Sequence, residues 1–379
     1  MNRRTFLRLL AAGAIAPLRP ADAMSASGGS LTAAARRVSW RVLAGELPRR
    51  YSTDIALQEI LRFSRASAEP ALGEAVVALT RQRGWEVPAA VQLLPFCNLP
   101  LELYHHTGRE SYRDAFLHAF RAAANGVQFS TKGAVLHPKG RFGTGHAMLI
   151  DGMQEYASRL AWCEQLSGAT DGADYGRAVR QFTLYRDALR DPATGLWSNA
   201  RGWLDDRTLN SPSAWSRGHG WLTRGMLNTI AAIPPDRPEH RELAALLEET
   251  LRTLMVRQRP DGWYPCLLDL PASESPREAS GSALIAAAMA IAVRRGLVTA
   301  AIRPALAAAA QRTFARLPEC VTALDEVTFV SPGPGPLLST AAYRVAADFG
   351  PDPHGDFALL SAATSELNDT SVVQNALPR

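Results

Sequence analysis

Within the seven residues Trp215-Ser216-Arg217-Gly218-His219-Gly220-Trp221 stand two indoles, a guanidinium, an imidazole and two glycines. No hydrophobic period explains that mixture, so it is read for chemistry. Arg217 can hold a carboxylate through two parallel hydrogen bonds. Trp215 and Trp221 offer flat apolar faces suited to the C–H face of a sugar ring, and His219 completes the set. Gly218 and Gly220 let the backbone turn tightly or approach a ligand. An apolar helical pattern from Leu222 to Ile233 follows directly, which predicts a loop running into a helix N-terminus, where free amide groups attract anions. The combination suits an acidic sugar. The structural alternative is a buried tryptophan pair with Arg217 in an ion pair.

Four further stretches could carry chemistry. In residues 143–153, Asp151 is flanked by Ile150 and Met153 inside an apolar helical run. Such surroundings disfavour a carboxylate and raise its pKa, which suits the group to donate a proton near neutral pH. Pairing with an arginine or capping a loop is the plainer use of the same residue. Gly195-Leu196-Trp197-Ser198-Asn199-Ala200-Arg201-Gly202-Trp203 is a second tryptophan, glycine and arginine loop, a further wall of the site or a packed loop. Arg259-Pro260-Asp261-Gly262-Trp263-Tyr264 and Glu278-Ala279-Ser280-Gly281-Ser282-Ala283 read as architecture, with Ser280 as a helix cap. His354, in Asp352-Pro353-His354-Gly355-Asp356, reads as structural. No metal-ligand spacing, P-loop, nucleophile elbow or dinucleotide fingerprint occurs, so neither a metal nor a cofactor is expected.

The elements that must position these residues are helical almost throughout. Helical periodicity covers Leu31 to Leu47, Ile55 to Ala68, Ala71 to Arg83, Ala90 to His106, Tyr112 to Asn125, Gly145 to Ser167 and Tyr175 to Leu189. It resumes at Leu222 to Ile233, Glu239 to Gln258, Ser280 to Arg295, Thr299 to Leu317, Leu337 to Ala347 and Asp356 to Glu366. Val327 to Val330 reads as a short strand. About a dozen helices joined by alternating short and long loops predict paired helices closed into a ring, an all-α (α/α)6 barrel. No fixed-period repeat supports a solenoid.

Asn2-Arg3-Arg4-Thr5-Phe6-Leu7-Arg8, an apolar run to Leu18 and Ala21-Asp22-Ala23 form a twin-arginine export signal over residues 1–23. Residues 24–379 are then one barrel domain, exported by the twin-arginine machinery to the periplasm or beyond. No later run is long and apolar enough to span a membrane. The formal net charge of +5 comes without basic blocks, which argues against nucleic acid and is compatible with an anionic polysaccharide fragment. Cys97, Cys163, Cys266 and Cys320 are widely separated and read as buried thiols.

Taken as an ordered set over residues 90–367, the segments 215–221, 259–264, 278–283 and 352–355 resemble the unsaturated glucuronyl and rhamnogalacturonyl hydrolases, glycoside hydrolase families 88 and 105. The resemblance implies an (α/α)6 barrel and a substrate left by polysaccharide lyases, a 4,5-unsaturated uronic acid at the non-reducing end. It implies an aspartic acid that protonates C4 of the vinyl ether while water adds at C5. The resulting hemiketal opens and releases the sugar, unlike the paired carboxylates of ordinary glycosidases. On this resemblance Asp151 is the acid, Arg217 the carboxylate clamp, and Trp215 and Trp221 the aromatic walls. The family's second Asp has no counterpart: Gln92 is the nearest position, and no acid lies between Glu86 and Glu102. Asn199 stands where the family has a histidine, and Gln154 and Glu155 replace a customary aromatic residue and Met. The expected activity is removal of the unsaturated uronate, with rhamnogalacturonan-type fragments the favoured class. A non-catalytic carbohydrate-binding relative is the alternative, followed by another (α/α)6 sugar enzyme such as an epimerase or lyase.

Overall fold

The way each helix hides its apolar surface sorts the helices into two layers. In α1 to α13 of a computed structural model, α9 (Pro238–Met255) buries one stripe: Leu243, Leu246, Leu247, Thr250, Leu251 and Leu254. That spacing marks a helix with one face on a core and one in water. By contrast α10 (Ala279–Arg294) buries Ala279 to Ala290 without a break, and α8 (Ser216–Ala232) buries every residue from Ser216 to Leu227. Helices covered all round must be surrounded by others. The structure describes residues 29–48, 50–86, 98–137, 145–168, 171–333, 335–345 and 349–367.

Among the described residues the inner helices are α2 (Tyr51–Ala66), α4 (Asn98–Thr107), α6 (Gly152–Ser167), α8, α10 and α13 (Pro353–Glu366). Along the ring α2 packs on α4, α6 on α8, α8 on α10, α10 on α13, and α13 back on α2. The α4–α6 join is made by side chains: Arg159 donates to Asn98 Oδ1 at 2.9 Å and His105 packs on Trp162 with centroids 5.0 Å apart. Outside lie α1 (Leu31–Ala44), α3 (Pro70–Gln82), α5 (Glu110–Ala124), α7 (Ala173–Leu189), α9 and α11 (Arg303–Phe314). The chain is an (α/α)6 barrel. A short α12 (Thr340–Val345) and two small antiparallel strand pairs, β1 (Met148–Leu149) with β2 (Ala200–Arg201) and β3 (Tyr264–Pro265) with β4 (Arg277–Glu278), decorate one end.

Because each inner helix is followed by an outer one running back, the inner helices share a direction. Their N-termini therefore gather at one rim, the end that carries both strand pairs. The positive ends of the helix dipoles point there too.

Several sequence expectations change. The Trp215–Trp221 stretch is not a loop before a helix; α8 starts at Ser216 and the stretch is its first two turns. The glycines serve close packing instead of a turn. A Cβ at Gly218 would stand 2.6 Å from Ile150 Cγ2, and one at Gly220 2.6 Å from Leu284 Cβ. The helix after residue 145 begins only at Gly152, because Met148–Leu149 pairs as strand β1. Glu278, not Ser280, caps α10, its carboxylate accepting from the Gly281 amide. Val327–Val330 forms no strand; Val327 makes a single bridge to Val321. Cys163, Cys266 and Cys320 are buried free thiols. The signal segment, Gln92 and Cys97 lie outside the described residues. No described helix is long and apolar enough to cross a membrane.

Candidate active site

Arg217, in the first turn of α8, is fully buried. Its Nη1 donates to Ser331 O at 2.6 Å and Ser280 Oγ at 3.1 Å, and lies 3.8 Å from Glu278 Oε1. The guanidinium sits 4.5 Å from the centroid of the Trp215 ring, whose Nε1 donates to Ser331 Oγ at 3.0 Å. One edge of the fork is thus locked by protein. The other edge, Nε and Nη2, has no protein partner. A buried charged donor without an acceptor is costly, and this edge is the one that engages a carboxylate side-on through two parallel bonds. Over Nη2 lies the exposed Gly333, where a Cβ would stand 2.9 Å from the nitrogen. Its φ of +77° is a second reason for glycine.

Glu278 explains why Arg217 can be buried at all. Its carboxylate accepts from Ser280 Oγ at 2.5 Å, from the Ser331 amide at 3.1 Å and from the Gly281 amide. The structural ion pair and the free fork edge therefore coexist on the same arginine. At Gly281, α8 and α10 nearly touch: a Cβ would stand 2.7 Å from the Arg217 amide nitrogen.

Asp151 stands at the N-cap of α6, partly exposed. The residue before it, Ile150, donates its amide to Asn199 O at 3.0 Å and fills the space in front of Gly218. The β1–β2 pair thereby packs Ile150, the residue before Asp151, on Gly218, the residue after Arg217. Asn199 lies on the same join, donating from Nδ2 to Tyr343 OH at 3.2 Å.

One helical turn after Asp151 is Glu155, which sequence reasoning treated only as a departure from a family pattern. Burial pushes its carboxyl up to about 8, Arg159 opposes that, and the charge of Asp151 adds to it. Glu155 is therefore protonated at neutral pH, next to Asp151. The same two acids, after burial, raise the phenol of Tyr185, whose hydroxyl donates to Val135 O at 2.8 Å. The signal that could have found Glu155 was its i, i+4 spacing from Asp151.

This proton has a thermodynamic consequence. Glu155 has a folded-state pKa of about 8 against an ordinary value of 4.5. Across that window the native state holds a proton the unfolded chain has released, so stability falls as pH rises through it and levels off above. Glu155→Gln removes the linkage. Unfolding free energies of the two proteins, read from urea curves, should diverge in the variant's favour between pH 5 and pH 8. Parallel curves would place the proton elsewhere.

His219 and Trp221 take other roles than ligand contacts. The Trp197 amide donates to His219 Nε2 at 3.0 Å, and Nδ1 donates to Trp215 O at 2.8 Å. Burial lowers this ring to about 4, so it is neutral with both nitrogens occupied. It ties the Trp197 loop to the start of α8. Trp221 is 4% exposed and packs on Phe357 at 4.9 Å, inside the barrel core.

At the rim, α2 and α13 add a group the sequence left as structural. Asp352 caps α13 and accepts from the His354 amide at 2.8 Å and from His354 Nδ1; Tyr51 OH bonds Nε2. Burial, then the nearby charge of Arg217, lowers the His354 pKa, while His354 helps to hold Asp352 low against burial. The neutral ring must then donate from Nδ1 to the carboxylate and accept from Tyr51.

Known proteins share this architecture. The family model described as Glycosyl Hydrolase Family 88 matches residues 81–332. A possible member of the GH105 family from Salmonella enterica serovar Paratyphi A superposes with TM-score 0.75 at 20% identity, covering 89% of this chain and 93% of that one. A family 105 glycoside hydrolase from C. acetobutylicum gives TM-score 0.75 at 18% identity, over 87% and 98%. An unsaturated glucuronyl hydrolase specific for heparin gives 0.69 at 14%, over 88% and 95%. No curated protein matches the sequence.

Proposed function

This chain belongs to glycosyl hydrolase family 88; from that premise we propose that it acts on unsaturated uronides, with Asp151 as its acid, Arg217 its carboxylate clamp, and a rhamnogalacturonan-type fragment its substrate. The observation that carries the reading is the unpartnered Nε–Nη2 edge of a buried arginine whose chain neighbour packs against the neighbour of Asp151. In a 4,5-unsaturated uronate the carboxylate is attached to C5, one end of the double bond. A fork that fixes that carboxylate also fixes the C4–C5 bond relative to the acid. The acid delivers its proton to C4, positive charge develops at C5 and the ring oxygen, and water adds at C5 with loss of its proton. The hemiketal then opens and the glycosidic bond is released.

The rim suits this charge pattern. Inner-helix N-termini meet there and favour a bound anion. In the resting enzyme the charge of Asp151 helps to keep the proton on Glu155; that proton passes to Asp151 as C4 is protonated, and the water that adds at C5 returns one to the pair. Trp215 supplies the apolar wall, held by its bond to Ser331. We also propose that residues 1–23 direct twin-arginine export and that the enzyme works in the periplasm or outside the cell; cell fractionation tests this.

The conjugated double bond absorbs in the ultraviolet and hydration destroys it. Loss of that band on lyase-generated pectic and glycosaminoglycan disaccharides measures turnover and preference together. The expected result is fastest decay on the rhamnogalacturonan disaccharide. Decay confined to glycosaminoglycan fragments would remove the substrate assignment. Saturable binding of every disaccharide with no decay would instead mark a carbohydrate-binding relative without the chemistry.

A further inference from the structure

The inner helices carry a second concentration of arginine between their midpoints and the end away from the rim. Arg62, Arg224 and Arg295 line one cavity of about 50 Å³, with Asn228 and Ser361 beside them and Leu284 among its apolar walls. At 1.5 Å per residue, these arginines lie roughly 12 to 24 Å along their helices from the rim. The cavity is separate from Asp151 and Arg217.

Two glutamates partly balance the charge. Arg224 pairs with Glu59 at 2.6 Å; Arg62 pairs with Glu59 at 3.0 Å and with Glu102; Arg65 pairs with Glu102 at 3.0 Å. Four arginines thus face two carboxylates. Arg224 is 7% exposed and its Nη1 has no partner, and Arg295 Nη1 is also buried without one. Arg295 makes no ion pair among the described residues, and burial lowers its guanidinium to about 10. Cations near helix C-termini are ordinary, since they offset the carbonyl ends. That accounts for arginines in the last turns but not for two guanidinium N–H groups left bare at a shared cavity, since a buried donor without an acceptor is costly.

We propose that this basal cavity is a binding site for a small tetrahedral oxyanion, phosphate or sulfate, held by the free Nη1 groups of Arg224 and Arg295. A cavity needs roughly 10–15 Å³ of this measure per water. The observed volume therefore takes about four water-sized units, the bulk of one such ion. A tetrahedral oxyanion presents acceptors in several directions, which suits two donors arriving from neighbouring helices α8 and α10, with Ser361 of α13 as a third polar group. Bound there, the ion would tie together three of the six inner helices.

The test uses the full chain, inorganic phosphate as probe, and chloride at matched ionic strength as control. Phosphate should raise the unfolding temperature in proportion to the logarithm of its concentration above the dissociation constant, by about 3–5 °C at a hundredfold excess. Calorimetric titration should show one site. Sulfate should compete. Arg295→Met should abolish the rise, since that arginine has no carboxylate to strand. Arg217→Lys should retain it. If Arg295→Met does not fold, Ala288→Leu, which fills the cavity without removing charge, should abolish it instead. Absence of a rise beyond that given by chloride, or a rise that survives filling of the cavity, overturns the proposal. A rise lost in Arg217→Lys overturns it as well, because the ion would then sit at the rim.

Discussion

Asp151→Asn is expected to lower turnover of an unsaturated disaccharide by at least about a hundredfold, the usual contribution of a general acid, with little change in stability. The amide keeps the shape of the carboxyl group but has no acidic proton to place on C4. The side chain makes no capping bond to α6, so the helix start does not depend on it. A second readout separates loss of the proton donor from general damage. The charge of Asp151 is one of the causes that raise Glu155. Its removal should lower the Glu155 titration, visible by carboxyl-resolved NMR as a midpoint below that of the unaltered protein. Full activity in the asparagine variant would reassign the acid, and Glu155 would be the next candidate.

The second large effect concerns Arg217, where the two uses of one side chain can be separated by two substitutions. Arg217→Met strands Glu278, which is wholly buried and otherwise pairs with this guanidinium. Breaking a buried pair from one side costs about 3–5 kcal/mol, so this variant should unfold at markedly lower urea. Arg217→Lys keeps a positive charge near Glu278 but cannot form two parallel bonds. Its stability loss should be smaller, while kcat/KM on the unsaturated substrate falls roughly a hundredfold, the worth of about two lost charge-assisted bonds net of water. Saturated (ordinary) uronates bound before the chemical step should weaken equally. If the lysine variant keeps wild-type KM, the free edge of Arg217 does not hold the carboxylate, and the ion pair with Glu278 is its whole purpose.

These variants also show where sequence reading reaches its limit. Periodicity located the helices because burial leaves a 3.6-residue trace, as in the Leu243–Leu254 stripe of α9. It located the inner helices for a different reason: α10 is an unbroken run of alanine and other small apolar residues, which suits a helix enclosed on all sides. Glycine was the ambiguous signal. Gly218 and Gly220 look like a loop in sequence, since glycine serves both tight turns and close helix contacts. Only the positions of Ile150 and Leu284 decide for the second. The same ambiguity hid the start of α8 and turned His219 and Trp221 into apparent ligand contacts.

The residue types at the rim were set by the sequence alone: one arginine among tryptophans, one aspartate in an apolar frame, and an ordered set of motifs that places the chain in its family. So was the all-helical ring, because hydrophobic period and loop length are local properties of the chain. What only the tertiary structure decided is which of those groups have free valences. Arg217 keeps a bare Nε–Nη2 edge because Ser280, Glu278 and Ser331, from 63, 61 and 114 residues away in the chain, occupy the other side. His219 has none, because Trp197 and Trp215 take both ring nitrogens. Glu155 holds a proton because folding buries it near Asp151. Hydrogen-bond satisfaction and desolvation depend on partners brought from distant parts of the chain, and no local pattern of residues records them.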